Sequence, residues 1–389
     1  MRILFYKPEG NNGFMSTWPL HHYVDELNRI GHDTHIFDPV VKLNRIGNIS
    51  EYSEMLIDEI KLLLKKYKID MFFTAASDKT ISKDAVIHIK RLGIPTVLMH
   101  CDDLSVPFII KKIASGFDLI WATSRENIDI LNSYGANVIM MPYAANPYKF
   151  RPVSIEEKRY VGFIGSVNGA RRYYIRHLTE DSINMNIFGN NKNQTDDSDN
   201  PLFRAVKNIG YSLPFTSQQL MIKTGRKIIA GALKKSIFDS LGLRIESKPL
   251  EEPQYYSGPA FSEMGKYYSE MAISYGSIEY ANTYVLKTPL MCIHLREFEA
   301  PMCGAVHIVN RTPELLEYFE EDKEMLFYSS KEELSEKIKY YLHPKRDAIR
   351  SKIRQAARRR SVEKHSWEIR FKNIWQNLGL SRSEMEPKL

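Results

Sequence analysis

Short apolar runs alternate along this chain with segments in which apolar residues recur at helical spacing. Segment 51–67, for example, carries Leu56, Ile60, Leu63 and Leu64 on one side of a helix. The apolar runs have the length of strands and are bounded by turn-forming residues. They are ILFY (3–6), THIFD (34–38), IDMFFTA (69–75), IPTVLMH (94–100), FDLIWATS (117–124), NVIMMPY (137–143), RYVGFIGS (159–166), INMNIFGN (183–190), MAISYG (271–276), AVHIVN (305–310) and EMLFYS (324–329).

This alternation predicts an α/β fold built on parallel sheets. Strands separated by helices form βαβ units, whose sheets are covered on both faces and bind ligands at the carboxyl ends of the strands. A long basic helix from about 344 and a last helix, HSWEIRFKNIWQNL, close the chain. The other helical segments are 23–30, 51–67, 82–92, 107–115, 125–134, 170–180, 262–270, a segment ending near Cys303, 312–320 and 331–342.

The stretch PYAANPYKFRPVS interrupts the alternation with three prolines and predicts an interdomain linker. We therefore expect one domain over 1–150 and a second over 151–364. The second carries an irregular insertion at about 190–260, which opens with the polar loop NNKNQTDDSDN. The C-terminal segment 365–389 is expected to pack back toward the first domain. A chain of 389 residues is long enough for two full cores.

Composition excludes several classes of protein. The chain is 43% hydrophobic and 26% charged, and it contains no apolar run long enough to predict a membrane-spanning helix. The start, MRILFYKPEG, turns polar too soon for a signal peptide and predicts a first strand. The three cysteines lack metal-ligand spacing, as expected for free thiols in a reducing compartment. These features predict a cytoplasmic protein.

The formal net charge of +7 is concentrated in two segments. Segment 217–248 has a net charge of +5, and segment 343–364 has a net charge of +7. In the first, Ile222, Ile229, Leu233 and Ile237 can share a helix face beside lysines, a pattern typical of helices that lie on anionic membranes. The alternative is an insertion helix packed on its own domain, and we expect segment 343–364 to be a solvated helix surface. Without interleaved aromatics, neither segment predicts nucleic-acid binding.

The segment HLREFEAPMCGAVHIVN (294–310) places charges against an apolar run. If its helix ends near Cys303, Gly304 is the left-handed cap and Glu299 lies one turn before the strand, at the mouth of the sheet. Arg296 lies on the same helix face. A carboxylate there can accept hydrogen bonds from hydroxyls, and an arginine can grip phosphate. The alternative is an Arg–Glu pair in water. We expect Glu297 to face solvent and Cys303 to be an apolar filler.

Five segments resemble, in order, those of the CgeB-like glycosyltransferases, the family that contains spore-maturation protein CgeB. REFEAPMCGA resembles the family segment R-x-F-E-a-x-x-C-G-a, and HCDD resembles its w-x-D-D element. MPYAANPYKFRP resembles the family linker. VGFIGSVNGARRYYIRHL and KHSWEIRF resemble two further family segments, the latter the closing H-t-w-x-x-R. The resemblance covers most of the chain except about 190–260.

This resemblance implies a GT-B fold, that is, two facing Rossmann-like domains with the site between them. It implies transfer of a sugar from a UDP-, GDP- or dTDP-sugar without a metal or other cofactor. Glu299 would bind the ribose, and Arg171 would neutralise phosphate charge. Beside them, Arg296 is a candidate contact to phosphate or sugar. Gly165 and Ser166 would form the turn beside the diphosphate. One departure is Met291, which stands where the E-x7-E element of many retaining GT-B enzymes has its first glutamate.

The acceptor side is predicted from residues that follow strands of the first domain. Asp102 and Asp103 come directly after a buried strand, and either could be a catalytic base or orient sugar hydroxyls. The alternative is a helix cap. Gly13, in the loop after the first strand, could allow close approach of a ligand. The expected acceptor is a hydroxyl of a glycan, lipid-linked or protein substrate, in the synthesis of cell-surface polysaccharide or glycoconjugate. A nucleotide-sugar epimerase and a non-catalytic binding protein remain alternatives.

Overall fold

The computed structural model describes residues 1–8, 14–101, 103–189, 215–241 and 253–380. The chain divides into two compact units. The first comprises Met1–Ala144 together with the segment from Ser366, and the second comprises Ala145–His365. The division at Ala144 lies within the proline-containing stretch of the sequence.

The first unit contains a six-stranded sheet in the order β2-β1-β3-β4-β5-β6. All of its strand pairs are parallel. Its strands are β1 (Arg2–Tyr6), β2 (Asp33–Phe37), β3 (Met71–Thr74), β4 (Thr96–His100), β5 (Leu119–Ala122) and β6 (Val138–Met140). Its helices are α1 (Phe14–Pro19), a π-helical turn Leu20–Val24, α2 (Asp25–Arg29), α3 (Pro39–Leu43), α4 (Ile49–Leu64), α5 (Lys83–Arg91) and α6 (Ile128–Ser133).

Burial along the strands explains this topology. Every residue of β3, β4 and β5 is buried, as expected for parallel strands that are covered by helices on both faces.

The predicted helix over 107–115 is wrong. Only 3-10 turns form there, at Pro107–Ile110 and Ala114–Gly116. The backbone N–H groups of Lys111 and Ile113 donate to the carbonyl oxygens three residues before them, so the segment closes into 3-10 turns.

The second unit contains a six-stranded sheet in the order β12-β11-β10-β7-β8-β9. Its strand pairs are also parallel. Its strands are β7 (Lys158–Ile164), β8 (Met185–Phe188), β9 (Gln254–Tyr256), β10 (Met271–Tyr275), β11 (His307–Asn310) and β12 (Leu326–Tyr328). Its helices are α7 (Ala170–Glu180), α8 (Lys223–Ser240), α9 (Met264–Glu270), α10 (Arg296–Met302), α11 (Pro313–Tyr318), α12 (Lys331–Leu342) and α13 (Asp347–Lys364).

The basic helix α13 is not the solvated surface that its charge predicts. Arg350 is 1% exposed and donates to the Tyr341 carbonyl. Arg358 donates to the carbonyl oxygens of Pro147, Phe150 and Met302. Backbone carbonyls at helix ends and in loops need donors, and a guanidinium supplies five of them. The arginines therefore fasten loops and the end of α10 rather than forming a basic outer surface.

The C-terminal helix α14 (Trp367–Asn377) belongs to the first unit. Trp367 is fully buried and donates its indole N–H to His22 Nδ1 over 2.9 Å. Arg370 donates to the carbonyl oxygens of Pro142 and Tyr143, just after β6. This helix thereby covers part of the core of the first unit with residues from the other end of the chain.

Candidate functional site

The turn after β7 lies at the carboxyl edge of the second sheet and depends on a glycine. Gly165 has φ +137°, a value that side-chain-bearing residues rarely adopt. A Cβ at this position would lie 2.5 Å from Arg296 Nη2. The structure thus brings together Gly165 and Arg296, two of the residues predicted to bind the donor. The neighbouring Ser166 is exposed.

Arg296 and Arg171 converge on the Phe163 ring at the end of β7. The guanidinium carbon of Arg296 lies 4.5 Å from the ring centroid, and that of Arg171 lies 5.9 Å from it. Arg296 Nε donates to the Ile164 carbonyl, whereas its buried Nη1 has no acceptor among the described residues. Burial, together with the charge of Arg296, lowers the pKa of Arg171 to about 10. Two partly desolvated cations this close favour a negatively charged ligand.

The beginning of α7 adds to this positive potential. The helix starts at Ala170, directly after the turn that contains Gly165 and Ser166, and its first turn has no acidic residue. Arg171 lies in that first turn, where the helix dipole disfavours a cation. Its Nη1 donates to the Ser166 carbonyl over 3.3 Å, so the guanidinium stays beside the turn. Backbone N–H groups at a helix start and two arginines together suit a phosphate or diphosphate.

Glu297 is buried, so the expectation that it faces solvent is wrong. It is fully inaccessible, and its Oε2 accepts the backbone N–H of His294 over 2.7 Å. Its Oε1 lies 3.8 Å from His307 Nε2 and 3.9 Å from Arg296 Nη1. Burial alone would raise the pKa of this carboxyl, but His307, His294 and Arg296 outweigh it and lower the pKa to about 2. Glu297 is therefore an anion beneath the two arginines.

His294 completes this polar layer. Its Nε2 lies 3.4 Å from Arg171 Nη2, and burial together with the Arg171 charge lowers its pKa to about 3. The imidazole is thus neutral at pH 7 and does not add to the positive charge. Since Glu297 holds the backbone N–H of His294, one carboxylate orients the loop that leads into α10.

Gly304 is the left-handed residue that ends α10, with φ +69°, as predicted. Cys303 is fully buried and its pKa is raised by burial, which confirms its role as an apolar filler.

Glu299 is buried within α10, and its charge raises the pKa of the nearby Tyr268 hydroxyl beyond the effect of burial. The charge of Arg296 has the opposite effect and lowers the pKa of the Tyr268 hydroxyl. Glu299 therefore lies near Tyr268, below the surface.

In the first unit, Asp103 is fully buried at the carboxyl edge of the sheet. Its Oδ1 accepts from the Thr123 hydroxyl over 2.9 Å, and its Oδ2 accepts from the Ser124 backbone N–H over 3.0 Å. Both carboxylate oxygens thus hold the loop after β5, and this geometry favours a positioning role over proton abstraction. Asp102 and Gly13 lie outside the described residues.

The sequence reasoning missed Glu279, which follows the carboxyl end of β10. Its Oε1 accepts from the Tyr174 hydroxyl over 2.7 Å and from Asn310 Nδ2 over 3.0 Å. Glu279 also forms an antiparallel bridge with Met291, the position where a glutamate was expected. The only sequence signal for it was an acidic residue shortly after a predicted strand, which is common in loops.

Within the described ranges of the chain, no group of three or more His, Cys, Asp or Glu side chains could hold a metal ion. Nor does any helix described here have the length and apolar character needed to cross a membrane. The polar groups that the structure brings together at the end of β7 are arginine and histidine side chains and backbone groups.

A family model matches part of the sequence. Residues 251–376 match the model of a family described as glycosyl transferase-like. A search of curated protein sequences found no significant match. The CgeB-like subgroup is not distinguished by these findings.

Solved structures show the same fold over nearly the whole chain. HepE from Anabaena, solved with UDP-glucose, has a TM-score of 0.56 at 12% identity over 97% of this chain and 99% of that one. An alpha-glucosyltransferase solved with UDP and DNA has a TM-score of 0.57 at 14% identity, with the same coverage. Sucrose-phosphate synthase from Thermosynechococcus elongatus has a TM-score of 0.54 at 13% identity, again over 97% and 99%. The predicted GT-B fold is thereby confirmed.

Proposed function

We propose that this GT-B protein is a glycosyltransferase that transfers a sugar from a nucleoside diphosphate to an acceptor hydroxyl. The observation that carries the proposal is the pair Arg171 and Arg296, held around Phe163 where β7 meets the start of α7. This arrangement, with Gly165 leaving the turn open, suits a diphosphate. The glycosyl transferase-like match over 251–376 supports the same activity.

The chemistry follows from where charge develops. The bond between the sugar carbon and the diphosphate oxygen breaks, and its electron pair stays on the leaving nucleoside diphosphate. Arg171, Arg296 and the N–H groups at the start of α7 would stabilise that charge without rearranging. Glu299 would accept hydrogen bonds from the ribose. These residue roles, like membership of the CgeB-like subgroup, are proposals supported by the ordered motifs and by the clustering of Gly165, Arg171 and Arg296.

The donor is proposed to be a UDP-, GDP- or dTDP-sugar. The solved relatives that contain UDP or UDP-glucose favour a uridine donor. The acceptor is proposed to be a hydroxyl of a glycan, lipid-linked or protein substrate. A nucleotide-sugar epimerase would use the same diphosphate site but would leave the nucleotide sugar intact.

The test is to incubate the protein with UDP-glucose, GDP-mannose and dTDP-glucose, with and without a cell-envelope extract, and to measure free nucleoside diphosphate. We expect one donor to release its diphosphate faster when the extract is present. Conversion of the donor into an isomer without diphosphate release would establish the epimerase instead. Failure of UDP, GDP and dTDP to bind would exclude both enzymes.

We further propose that α8 lies against an anionic membrane. Its contacts with the rest of the second unit include close packing of Gly231 on Asn282 and a hydrogen bond from Lys227 to the Thr288 carbonyl. Leu233 and Ile237, one turn apart, are 60% and 57% exposed. The described part of segment 217–248, residues 217–241, has five basic residues and one acidic residue. Exposed apolar side chains among lysines are typical of helices at an anionic lipid surface.

We expect the protein to sediment with phosphatidylglycerol vesicles and not with phosphatidylcholine vesicles. The double variant Leu233→Ser/Ile237→Ser should lower the vesicle partition constant about thirtyfold, since each side chain loses roughly 1 kcal/mol of apolar burial. Ile46→Ser is a matched control, because Ile46 is 84% exposed in the first unit. Equal binding of the double variant and the control would contradict the membrane proposal.

A further inference from the structure

Glu279 lies on a hairpin that follows the carboxyl end of β10. The Tyr280 N–H donates to the Leu290 carbonyl, and the Cys292 N–H donates to the Ile278 carbonyl. Glu279 and Met291 are therefore directly opposite one another, with their side chains on the same face of the hairpin. A carboxylate is thus carried on one strand of a hairpin whose other strand leads toward His294 and Arg296.

The Glu279 carboxylate is held in a fixed direction by one of its oxygens. Oε1 accepts from the Tyr174 hydroxyl on α7 and from Asn310 Nδ2 at the end of β11. Among the described residues, Oε2 accepts no hydrogen bond. The side chain is half-buried, and burial raises its pKa while the hydrogen bond from Tyr174 opposes the rise. A carboxylate with one oxygen fixed and one available can orient a hydroxyl donor.

The position of Glu279 relative to the two arginines follows from α7 and β10. Arg171 and Tyr174 are three residues apart on α7, so they share a helix face. The last residue of β10, Tyr275, is buried, and its ring centroid lies 5.8 Å from that of Phe163, the ring against which both arginines lie. Glu279 therefore lies beside the diphosphate site, at the same edge of the sheet.

We propose that Glu279 Oε2 accepts a hydrogen bond from a hydroxyl of the sugar in the donor, and so contributes to the choice of sugar. The inference rests on the proposed function, since it assumes a nucleotide sugar at Arg171 and Arg296. A diphosphate has no hydroxyl for a carboxylate to bind, whereas a sugar presents several. A site that binds a hydroxyl through a partly buried acceptor discriminates strongly against ligands that lack or misplace it.

The experiment compares two ligands on each variant by isothermal titration calorimetry. UDP reports the diphosphate site, and UDP-glucose reports the same site with a sugar; GDP with GDP-mannose and dTDP with dTDP-glucose replace them if those nucleotides bind the wild type. We expect Glu279→Gln to bind UDP as the wild type does and to bind UDP-glucose about tenfold more weakly. Tyr174→Phe should weaken the binding of UDP-glucose in the same selective way but by less, because it loosens the carboxylate without removing it.

Glu336→Gln is the matched control, because Glu336 is exposed on α12 and should change neither affinity. Equal loss of UDP and UDP-glucose binding in Glu279→Gln would show that Glu279 only supports the fold. Unchanged binding of both ligands in that variant and in Tyr174→Phe would also overturn the inference, while leaving the proposed function intact. If the wild type binds none of the nucleotides, the proposed function fails and the inference fails with it.

Discussion

Replacing Arg171 by methionine is expected to weaken nucleoside diphosphate binding about a hundredfold while leaving the protein as stable as before. A guanidinium that meets phosphate in a partly desolvated site forms strong charge-assisted hydrogen bonds, which methionine cannot form. In the free protein, however, Arg171 is partly desolvated and close to Arg296, and both effects lower its pKa to about 10. It also lies in the first turn of α7, where a cation is unfavourable. The Arg171→Met variant therefore binds nucleoside diphosphate more weakly but is as stable as the wild type.

The measurement is the affinity for UDP, GDP and dTDP by calorimetry, with the thermal midpoint recorded on the same samples. Arg172→Met is the matched control, since Arg172 is the next residue on α7 and donates to the Val167 carbonyl instead. We expect the control to bind nucleotide as the wild type does. A large fall in the midpoint of Arg171→Met, or nucleotide affinity equal to that of the control, would contradict this account of the site.

Replacing Glu297 by glutamine is expected to lower the free energy of unfolding at pH 7 by roughly 3 kcal/mol. The folded protein lowers the pKa of this carboxyl from 4.5 to about 2, because His307, His294 and Arg296 outweigh the cost of burial. A carboxyl whose pKa is depressed on folding stabilises the folded state above its unfolded pKa. This stabilisation is lost as the pH falls from 4.5 toward 2. Glutamine is uncharged at every pH and cannot provide it.

The pH dependence distinguishes this charge effect from a packing defect. We expect the difference in unfolding free energy between wild type and Glu297→Gln, measured with urea, to be constant from pH 7 to pH 6. It should become smaller as the pH falls below 4.5. Glu363→Gln, an exposed carboxylate on α13, is the control. A difference that is independent of pH would assign the loss to packing, and no difference at pH 7 would contradict the account.

Much of the fold is predictable from the sequence because its signals are local. The apolar runs that become β3, β4 and β5 are buried on both faces, so their composition alone indicates parallel strands. The strand β9 was missed because QYY is too short to form a pattern and falls in the predicted insertion. The π-helical turn Leu20–Val24 was also missed, since it changes hydrogen bonding without changing the apolar spacing much.

The candidate site was predictable only where local geometry decides it. Gly304 ends a helix before a strand, and a left-handed glycine is the common solution there. Glu297 was assigned to the surface because charged residues on short helices normally face water. In this structure all seven residues of α10 are buried. The partner that accounts for its burial, His307, lies on another element, and Tyr174, the partner of Glu279, is 105 residues away. Sequence spacing carries no information about such pairs.

The arginines of α13 have a consequence for how the protein is made. Arg358 donates to carbonyls near Pro147 and at Met302, and Trp367 fills a place in the first unit beside His22. On a ribosome, the residues that accept these bonds emerge long before the residues that donate them. Neither unit can complete these contacts until α13 and α14 have left the exit tunnel. A chain that terminates before α13 therefore leaves both units incomplete.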